Sequence, residues 1–140
     1  MADLNDLPTI VYVEDESAII NLLRESLTML RMPVNLIGVN NVNAGLKIIR
    51  DNRPNLIILD LMLPGRSGWD LVKELRADSE LADLPVIILS VKRPEDEAAE
   101  GAPVDQVEAF MTKPFSVIEL GNKIRKYLPV ASSENMKLKA

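Results

Sequence analysis

Three carboxylates follow two of the chain's short apolar runs, and they are the strongest candidates for chemistry. Glu14 and Asp15 come directly after the run Thr9–Val13, and Asp60 comes directly after the run Leu56–Leu59. Carboxylates that are buried together repel one another, and each raises the pKa of the others unless a cation is present. A divalent ion with oxygen ligands meets this need, so the pattern favours Mg²⁺, Mn²⁺ or Ca²⁺.

Two further apolar runs end in groups that suit an anion. Ser90 follows the run Val86–Leu89, and Lys113 follows the run Ala109–Thr112. A metal ion and a lysine neutralise the oxygens of a phosphoryl group, and a carboxylate is able to attack its phosphorus atom. These residues together predict a site that binds a phosphoryl group and accepts it on a carboxylate.

The elements that position these residues follow from five apolar runs that alternate with amphipathic helical patterns. This order predicts an α/β fold with a parallel sheet, and right-handed crossovers place helices on both faces. The run Val34–Val39 is more polar and contains Gly38, so it predicts an edge strand. Ligands of such sheets bind beyond the carboxyl ends of the strands, which is where the candidate residues stand.

The segment 92–107 departs from the regular alternation. Pro94 suits the first position of a helix, and Gly101 with Pro103 would end it, so we predict a short or displaced fourth helix from Pro94 through Glu100. Its acidic residues predict a solvated face: Glu95, Asp96, Glu97 and Glu100. Elsewhere, Ser67 and Ser116 are predicted N-caps of the third and last helices, and Trp69 is predicted to pack in the core.

Composition excludes several classes of protein. The chain has 140 residues, 47% of them hydrophobic and 26% charged, which is typical of one globular domain. Because Cys and His are absent, there is no disulfide, Cys/His zinc site, cysteine nucleophile or Ser-His-Asp triad. A net charge of −5 with scattered basic residues argues against nucleic-acid binding. The short apolar runs and acidic N-terminus argue against a membrane span or a signal peptide, so we expect a cytoplasmic protein.

The domain is expected to cover residues 9–129. Residues 1–8 are interpreted as an N-terminal extension, and residues 130–140 as a polar tail or the start of a linker. The chain is therefore either a stand-alone domain or a fragment of a longer protein. We expect a monomer or a weak homodimer.

Across residues 8–129 the chain resembles the receiver domain of two-component response regulators in four segments, VYVEDE, LIILDLMLPGRSG, VIILSV and FMTKPF. The resemblance implies a flavodoxin-like, doubly wound five-stranded sheet of order 2-1-3-4-5. It implies that the protein takes a phosphoryl group from the phosphohistidine of a sensor histidine kinase or a phosphotransfer protein. It also implies a downstream protein target, which the sequence does not identify.

The resemblance implies a role for each candidate residue. Asp60 matches the phosphoacceptor, and Glu14 with Asp15 matches the acidic pair that holds Mg²⁺, with Asp15 as the direct ligand. Lys113 matches the lysine that contacts the phosphoryl group. Ser90 matches the switch hydroxyl that moves to bond the acyl phosphate.

Further positions match in the same way. The backbone carbonyl of Met62 is expected to complete the metal shell, and Phe110 matches the aromatic switch that rotates inward with Ser90. The Lys113–Pro114 peptide bond is expected to be cis.

The chain departs from the family's usual residues near the phosphoacceptor. Glu14 stands where Asp is commoner, and Phe110 replaces a more frequent Tyr. Val91 stands where a small residue is usual, so slow transfer and a longer-lived phosphoryl group are expected. Met62, Val91 and Lys92 are the residues expected to tune access to Asp60.

Two other functions compete with the phosphorylated receiver. A pseudo-receiver would bind proteins without ever carrying phosphate. An aspartate-based phosphohydrolase would usually place its nucleophile after the first strand and a second Asp two residues later, whereas Asp60 follows the third run and Met62 occupies that second position. We therefore expect no enzyme beyond self-catalysed phosphorylation and slow dephosphorylation.

Overall fold

A computed structural model describes residues 7–129 as a five-stranded parallel sheet with helices on both faces. The elements are β1 (Thr9–Val13), α1 (Ser17–Met29), β2 (Asn35–Val39), α2 (Val42–Asn52), β3 (Leu56–Leu59), α3 (Gly68–Ala77), β4 (Val86–Ser90), α4 (Pro94–Ala99), β5 (Ala109–Thr112) and α5 (Val117–Tyr127). A 3₁₀ turn, Val104–Gln106, lies between α4 and β5. The predicted tail, 130–140, and most of the predicted extension, 1–8, lie outside the described residues.

The order of the strands is β2-β1-β3-β4-β5, which confirms the predicted topology. The β2 strand is an edge strand, as predicted, and it pairs with β1 alone. All strands are parallel, so every helix runs back against them from the carboxyl edge of the sheet to its amino edge. No helix of the described residues is long and apolar enough to span a bilayer.

The core consists of one apolar layer on each face of the sheet. Alternate residues of a strand point to opposite faces, so β1 sends Val11 and Val13 to one layer and Ile10 and Tyr12 to the other. The first layer packs against α2 and α3 and includes Trp69, and the second packs against α1 and α5. Both layers hold the strand ends rigidly beside the acidic residues.

The predicted N-caps are confirmed. The Ser67 hydroxyl accepts a hydrogen bond from the Trp69 amide at 3.1 Å, and the Ser116 hydroxyl accepts one from the Glu119 amide at 3.3 Å. Each cap satisfies an amide that has no partner inside its helix. The cap on α3 fixes where the helix begins after the loop that follows Asp60.

The fourth helix is short, as predicted, but its acidic face is not wholly solvated. Glu97 is only 7% exposed, and its Oε1 accepts a hydrogen bond from Trp69 Nε1 at 2.8 Å. The prediction of a solvated face was therefore wrong for Glu97. Helix α4 has no large apolar side chain that could face α3. The carboxylate of Glu97 takes that place, because the indole N–H of Trp69 gives it a hydrogen-bond partner.

Candidate functional site

The carboxylates of β1 and β3 meet because of the strand register. Val13 pairs with Leu59, so the next residues, Glu14 and Asp60, lie side by side at the carboxyl edge. One carboxylate oxygen from each of Glu14, Asp15 and Asp60 lies within 4.8 Å of the others. Glu14 and Asp60 are buried and Asp15 is exposed, so one side of the cluster is open to solvent.

Lys113 joins this cluster from β5. Its Nζ donates hydrogen bonds to Glu14 Oε1 at 2.5 Å and to Asp60 Oδ2 at 3.0 Å. The Met62 amide donates to the other oxygen of Asp60, Oδ1, at 3.0 Å. The side chain of Asp60 is therefore held through both oxygens, and one positive charge bridges two buried carboxylates.

Burial sets the electrostatics of the site. Burial raises the pKa of Glu14, the neighbouring Asp60 carboxylate raises it further, and the hydrogen bond from Lys113 opposes the rise. Burial alone would lower the pKa of Lys113, but its hydrogen bonds to Glu14 and Asp60 outweigh that effect and raise it. Lys113 therefore keeps its charge, while burial disfavours the ionised form of Glu14, which a second cation would stabilise.

Sequence reasoning missed a contribution from Tyr12. Its hydroxyl lies 3.4 Å from Glu14 Oε1 and donates to it, and the ring is fully buried beneath the site. Burial, together with the nearby acidic groups, raises the pKa of Tyr12 above its ordinary range, so the hydroxyl stays protonated. The only sequence signal for this role of Tyr12 is the alternation of strand residues, since Tyr12 and Glu14 are two residues apart and share a face.

The predicted switch residues take no part in the described hydrogen bonds of the cluster. Ser90 is fully buried at the end of β4, and its hydroxyl oxygen accepts from the Lys92 amide at 3.4 Å. Phe110 is half-buried, and its ring centroid lies 6.4 Å from that of Trp69 at an interplanar angle of 42°. The Lys113–Pro114 peptide bond is cis, as predicted.

The three residues predicted to tune access to Asp60 are exposed. Met62 is 54% exposed, Val91 is 58% exposed, and Lys92 is also exposed. Met62 and Lys92 line an open cleft of about 540 Å³ that reaches Trp69 and the buried Glu97. The effect of these three residues on access to Asp60 stays a prediction.

The donor set fits a hard divalent cation. The three clustered carboxylates supply oxygen ligands, which Mg²⁺ and Mn²⁺ prefer, and the chain has no cysteine thiolate or histidine imidazole to offer. The exposed Asp15 gives the ion a route from solvent. The carbonyl of Met62 as a further ligand stays a prediction.

Comparison with known proteins decides the family. A profile of the response regulator receiver domain matches residues 10–125. The chain belongs to that family. The receiver domain is 35% identical over 120 residues to the phosphate regulon transcriptional regulatory protein PhoB of Pseudomonas aeruginosa, covering 86% of this chain and 51% of PhoB. It is 34% identical over 124 residues to the transcriptional regulatory protein KdpE of Staphylococcus aureus, covering 89% of this chain and 51% of KdpE.

Solved structures agree with the fold of the receiver domain. The signal receiver domain of a LuxO repressor protein from Vibrio parahaemolyticus superposes with a TM-score of 0.78 at 25% identity, covering 93% of this chain and 96% of that one. The chemotaxis response regulator CheY4 of Vibrio cholerae superposes with a TM-score of 0.75 at 20% identity, covering 87% of this chain and 99% of that one, and shows the fold alone. The chain spans about half the length of the curated relatives it matches. It is a receiver domain of the two-component response-regulator class.

Proposed function

We propose that Asp60 accepts a phosphoryl group and that Mg²⁺ bound by the acidic cluster is required for the transfer. The observation that carries this proposal is the bridge from Lys113 Nζ to Asp60 and Glu14 inside a cluster of three carboxylates. A lysine in this position neutralises the negative charge that a phosphoryl group brings to the site. Glu14 and Asp15 are the proposed metal ligands beside Asp60, and Mn²⁺ is a possible substitute.

Asp60 is the proposed nucleophile because it matches the phosphoacceptor of the receiver family, and hydrogen bonds from the Met62 amide and Lys113 Nζ hold its two oxygens in place. One of its oxygens forms a bond to phosphorus as the bond from phosphorus to the donor breaks. When the donor is a phosphohistidine, the imidazole ring leaves and takes up a proton from solvent. The bound metal ion supplies charge neutralisation for the phosphoryl oxygens. Lys113 Nζ donates to the group once it is attached to Asp60, in exchange for its hydrogen bond to the free carboxylate.

The phosphoryl donor in the cell is proposed to be a sensor histidine kinase or a phosphotransfer protein. Phosphorylation is proposed to change a surface of the domain that binds a protein target. Ser90 would move to donate its hydroxyl to the acyl phosphate, and Phe110 would rotate inward with it. The domain turns over no outside substrate and loses its phosphoryl group slowly to water. A cytoplasmic setting, with no direct contact to nucleic acid or membrane, fits these roles.

Acetyl phosphate tests the proposal directly. The protein is incubated with acetyl phosphate, with and without Mg²⁺, and its intact mass is recorded. We expect the gain of one phosphoryl group that depends on Mg²⁺ and is lost in Asp60→Asn. Asp51→Asn serves as the matched control because Asp51 is an exposed acid on α2, away from the cluster.

Two outcomes would contradict the proposal. A phosphoryl group on Asp60→Asn would place the acceptor elsewhere. No gain at any Mg²⁺ concentration would favour a phosphorylation-independent binding module, and attention would move to the segment 92–107.

A further inference from the structure

A line of contacts connects the proposed switch to α4. Phe110 on β5 faces Trp69 on α3, with 6.4 Å between the ring centroids. The indole N–H of Trp69 donates in turn to Glu97 Oε1 on α4 at 2.8 Å. Each contact joins two different elements, so a displacement of the Phe110 ring acts on Trp69 before it reaches α4.

Glu97 is an unusual residue in this position. It is 7% exposed, and among the described residues it takes part in no ion pair. A buried carboxylate is costly unless it is hydrogen-bonded and paired. The neutral indole of Trp69 is its one described side-chain partner, so the Trp69–Glu97 hydrogen bond decides whether Glu97 stays inside.

Helix α4 depends on such a contact. It has six residues, which is too short for a helix to be stable by itself in water. Its first residue is Pro94, and its other residues are acidic side chains and alanines, with Glu97 the buried one. The helix offers no large apolar side chain to the core, so its anchor is polar and is broken more easily than a packed core contact.

We propose that Trp69 and Glu97 form a latch that holds α4 against α3 in the unphosphorylated receiver, and that phosphorylation of Asp60 opens it. This inference rests on the proposed function, because inward rotation of Phe110 is the movement that removes one packing surface of the indole. The indole then shifts, its N–H leaves Glu97, and the carboxylate turns out to solvent with α4. Trp69 and Glu97 are positioning residues in this device.

The chain carries its own reporter for the latch. Trp69 is the only tryptophan, so the intrinsic fluorescence of the protein reports on the indole that donates to Glu97. Hydrogen–deuterium exchange of the amides in residues 95–100 reports on α4 independently. The intact mass of the same sample gives the phosphoryl occupancy, so a failure of phosphorylation is distinguished from a failure of the latch.

Matched variants separate the hydrogen bond from the charge. Glu97→Gln keeps an oxygen acceptor for the indole, whereas Glu97→Ala removes the acceptor and adds no apolar anchor to α4. In the unphosphorylated state, we expect the amides of residues 95–100 in Glu97→Ala to exchange about tenfold faster than in wild type, as the loss of one hydrogen bond to a charged group allows. We expect Glu97→Gln to stay close to wild type. Phosphorylated wild type is expected to resemble Glu97→Ala in both exchange and fluorescence, and Glu97→Ala is expected to respond little further.

Trp69→Phe provides a second route to the same test, because it keeps an aromatic body and removes the N–H donor. Its α4 amides are expected to exchange as fast as those of Glu97→Ala. Unchanged fluorescence and unchanged exchange in wild type at full phosphoryl occupancy would overturn the latch while leaving the proposed function intact. Absence of any phosphoryl gain would overturn both.

Discussion

Lys113 Nζ donates to Asp60 Oδ2 over 3.0 Å, so the lysine proposed to bind the phosphoryl group is paired with the phosphoacceptor before any phosphoryl group arrives. The same ammonium contacts Glu14. This one cation neutralises part of the carboxylate charge of the site. A divalent ion held by Glu14 and Asp60 would share these carboxylates with the lysine, and each cation would lower the attraction of the site for the other.

Removing the lysine charge should strengthen metal binding. We expect Lys113→Met, in the absence of a phosphoryl donor and at pH 8, to bind Mg²⁺ about fivefold more tightly than wild type, since a unit charge at this distance is worth about 1 kcal/mol in a water-like medium. Isothermal titration calorimetry measures the affinity. Lys126→Met is the control, because Lys126 is exposed on α5 and should leave the affinity unchanged. Weaker Mg²⁺ binding by Lys113→Met would contradict this competition.

The raised pKa of Glu14 predicts an unusual pH dependence of stability in the metal-free protein. A carboxylate whose folded pKa lies above its unfolded pKa of about 4.3 stabilises the fold most below that value, and the contribution is lost as pH rises through the folded pKa. Lys113, whose pKa is also raised, stays charged throughout this range and adds no slope. Relative to Glu14→Gln, the free energy of unfolding of wild type should therefore fall as the pH rises from about 4 to about 7.

Urea unfolding in EDTA, repeated across that pH range, measures the difference in free energy of unfolding between wild type and Glu14→Gln at each pH. Saturating Mg²⁺ should reduce the fall, because the cation compensates the ionised carboxylate. A free energy of unfolding that rises with pH relative to Glu14→Gln would show that Lys113 outweighs burial in setting the pKa of Glu14.

Val91 is expected to slow both the phosphorylation of Asp60 and the later loss of the phosphoryl group. It follows Ser90 directly, and its side chain is 58% exposed on the solvent side of the site. Val91→Ala removes two methyl groups from the approach to Asp60, and a change of about 1 kcal/mol in each barrier would make both steps about fivefold faster. Rates of phosphorylation by acetyl phosphate and of decay after its removal give the test. Equal rates in the two proteins would show that Val91 does not restrict access.

Gly68 is predicted to tolerate no side chain, because a Cβ there would lie 2.6 Å from the Asp60 carbonyl oxygen and 3.0 Å from Leu61 Cα. Both are backbone atoms that hold the phosphoacceptor in place. Gly68→Ala should lower the free energy of unfolding by about 1–3 kcal/mol and impair phosphorylation. Gly121→Ala is the matched control in α5. Its Cβ would meet the end of the Leu30 side chain, which is able to move aside, and alanine has a higher helix propensity than glycine. Chemical unfolding of both variants decides the matter, and an equal effect in the two would refute the role of the backbone contact.

Local sequence signals were sufficient for the α/β class, the parallel sheet and most of the site, whereas the order of the strands came from the resemblance to receiver domains. Unbroken apolar runs marked the strands, Ser67 and Ser116 marked two helix starts, and the residues after four strands marked the site. These signals suffice because parallel strands bring their carboxyl ends to one edge whatever the loops do.

Contacts that join distant elements were not predictable in this way. The burial of Glu97 depends on an indole that is 28 residues away in the sequence. Arg76 likewise donates to the carbonyl oxygens of Ala82, Leu84 and Gln106, which holds the segment before β5 against α3. Charged residues such as these look solvated in a sequence, and only the tertiary structure shows their partners.

The direction of α5 determines how a tethered segment would sense phosphorylation. The helix starts at the edge that holds Asp60 and ends with Tyr127 at the opposite edge. The strands between those edges have four or five residues, which is a span of roughly 15 Å. A domain joined after the helix would thus lie far from Asp60 and would not contact it. Phosphorylation would reach such a domain only through a tilt or shift of α5.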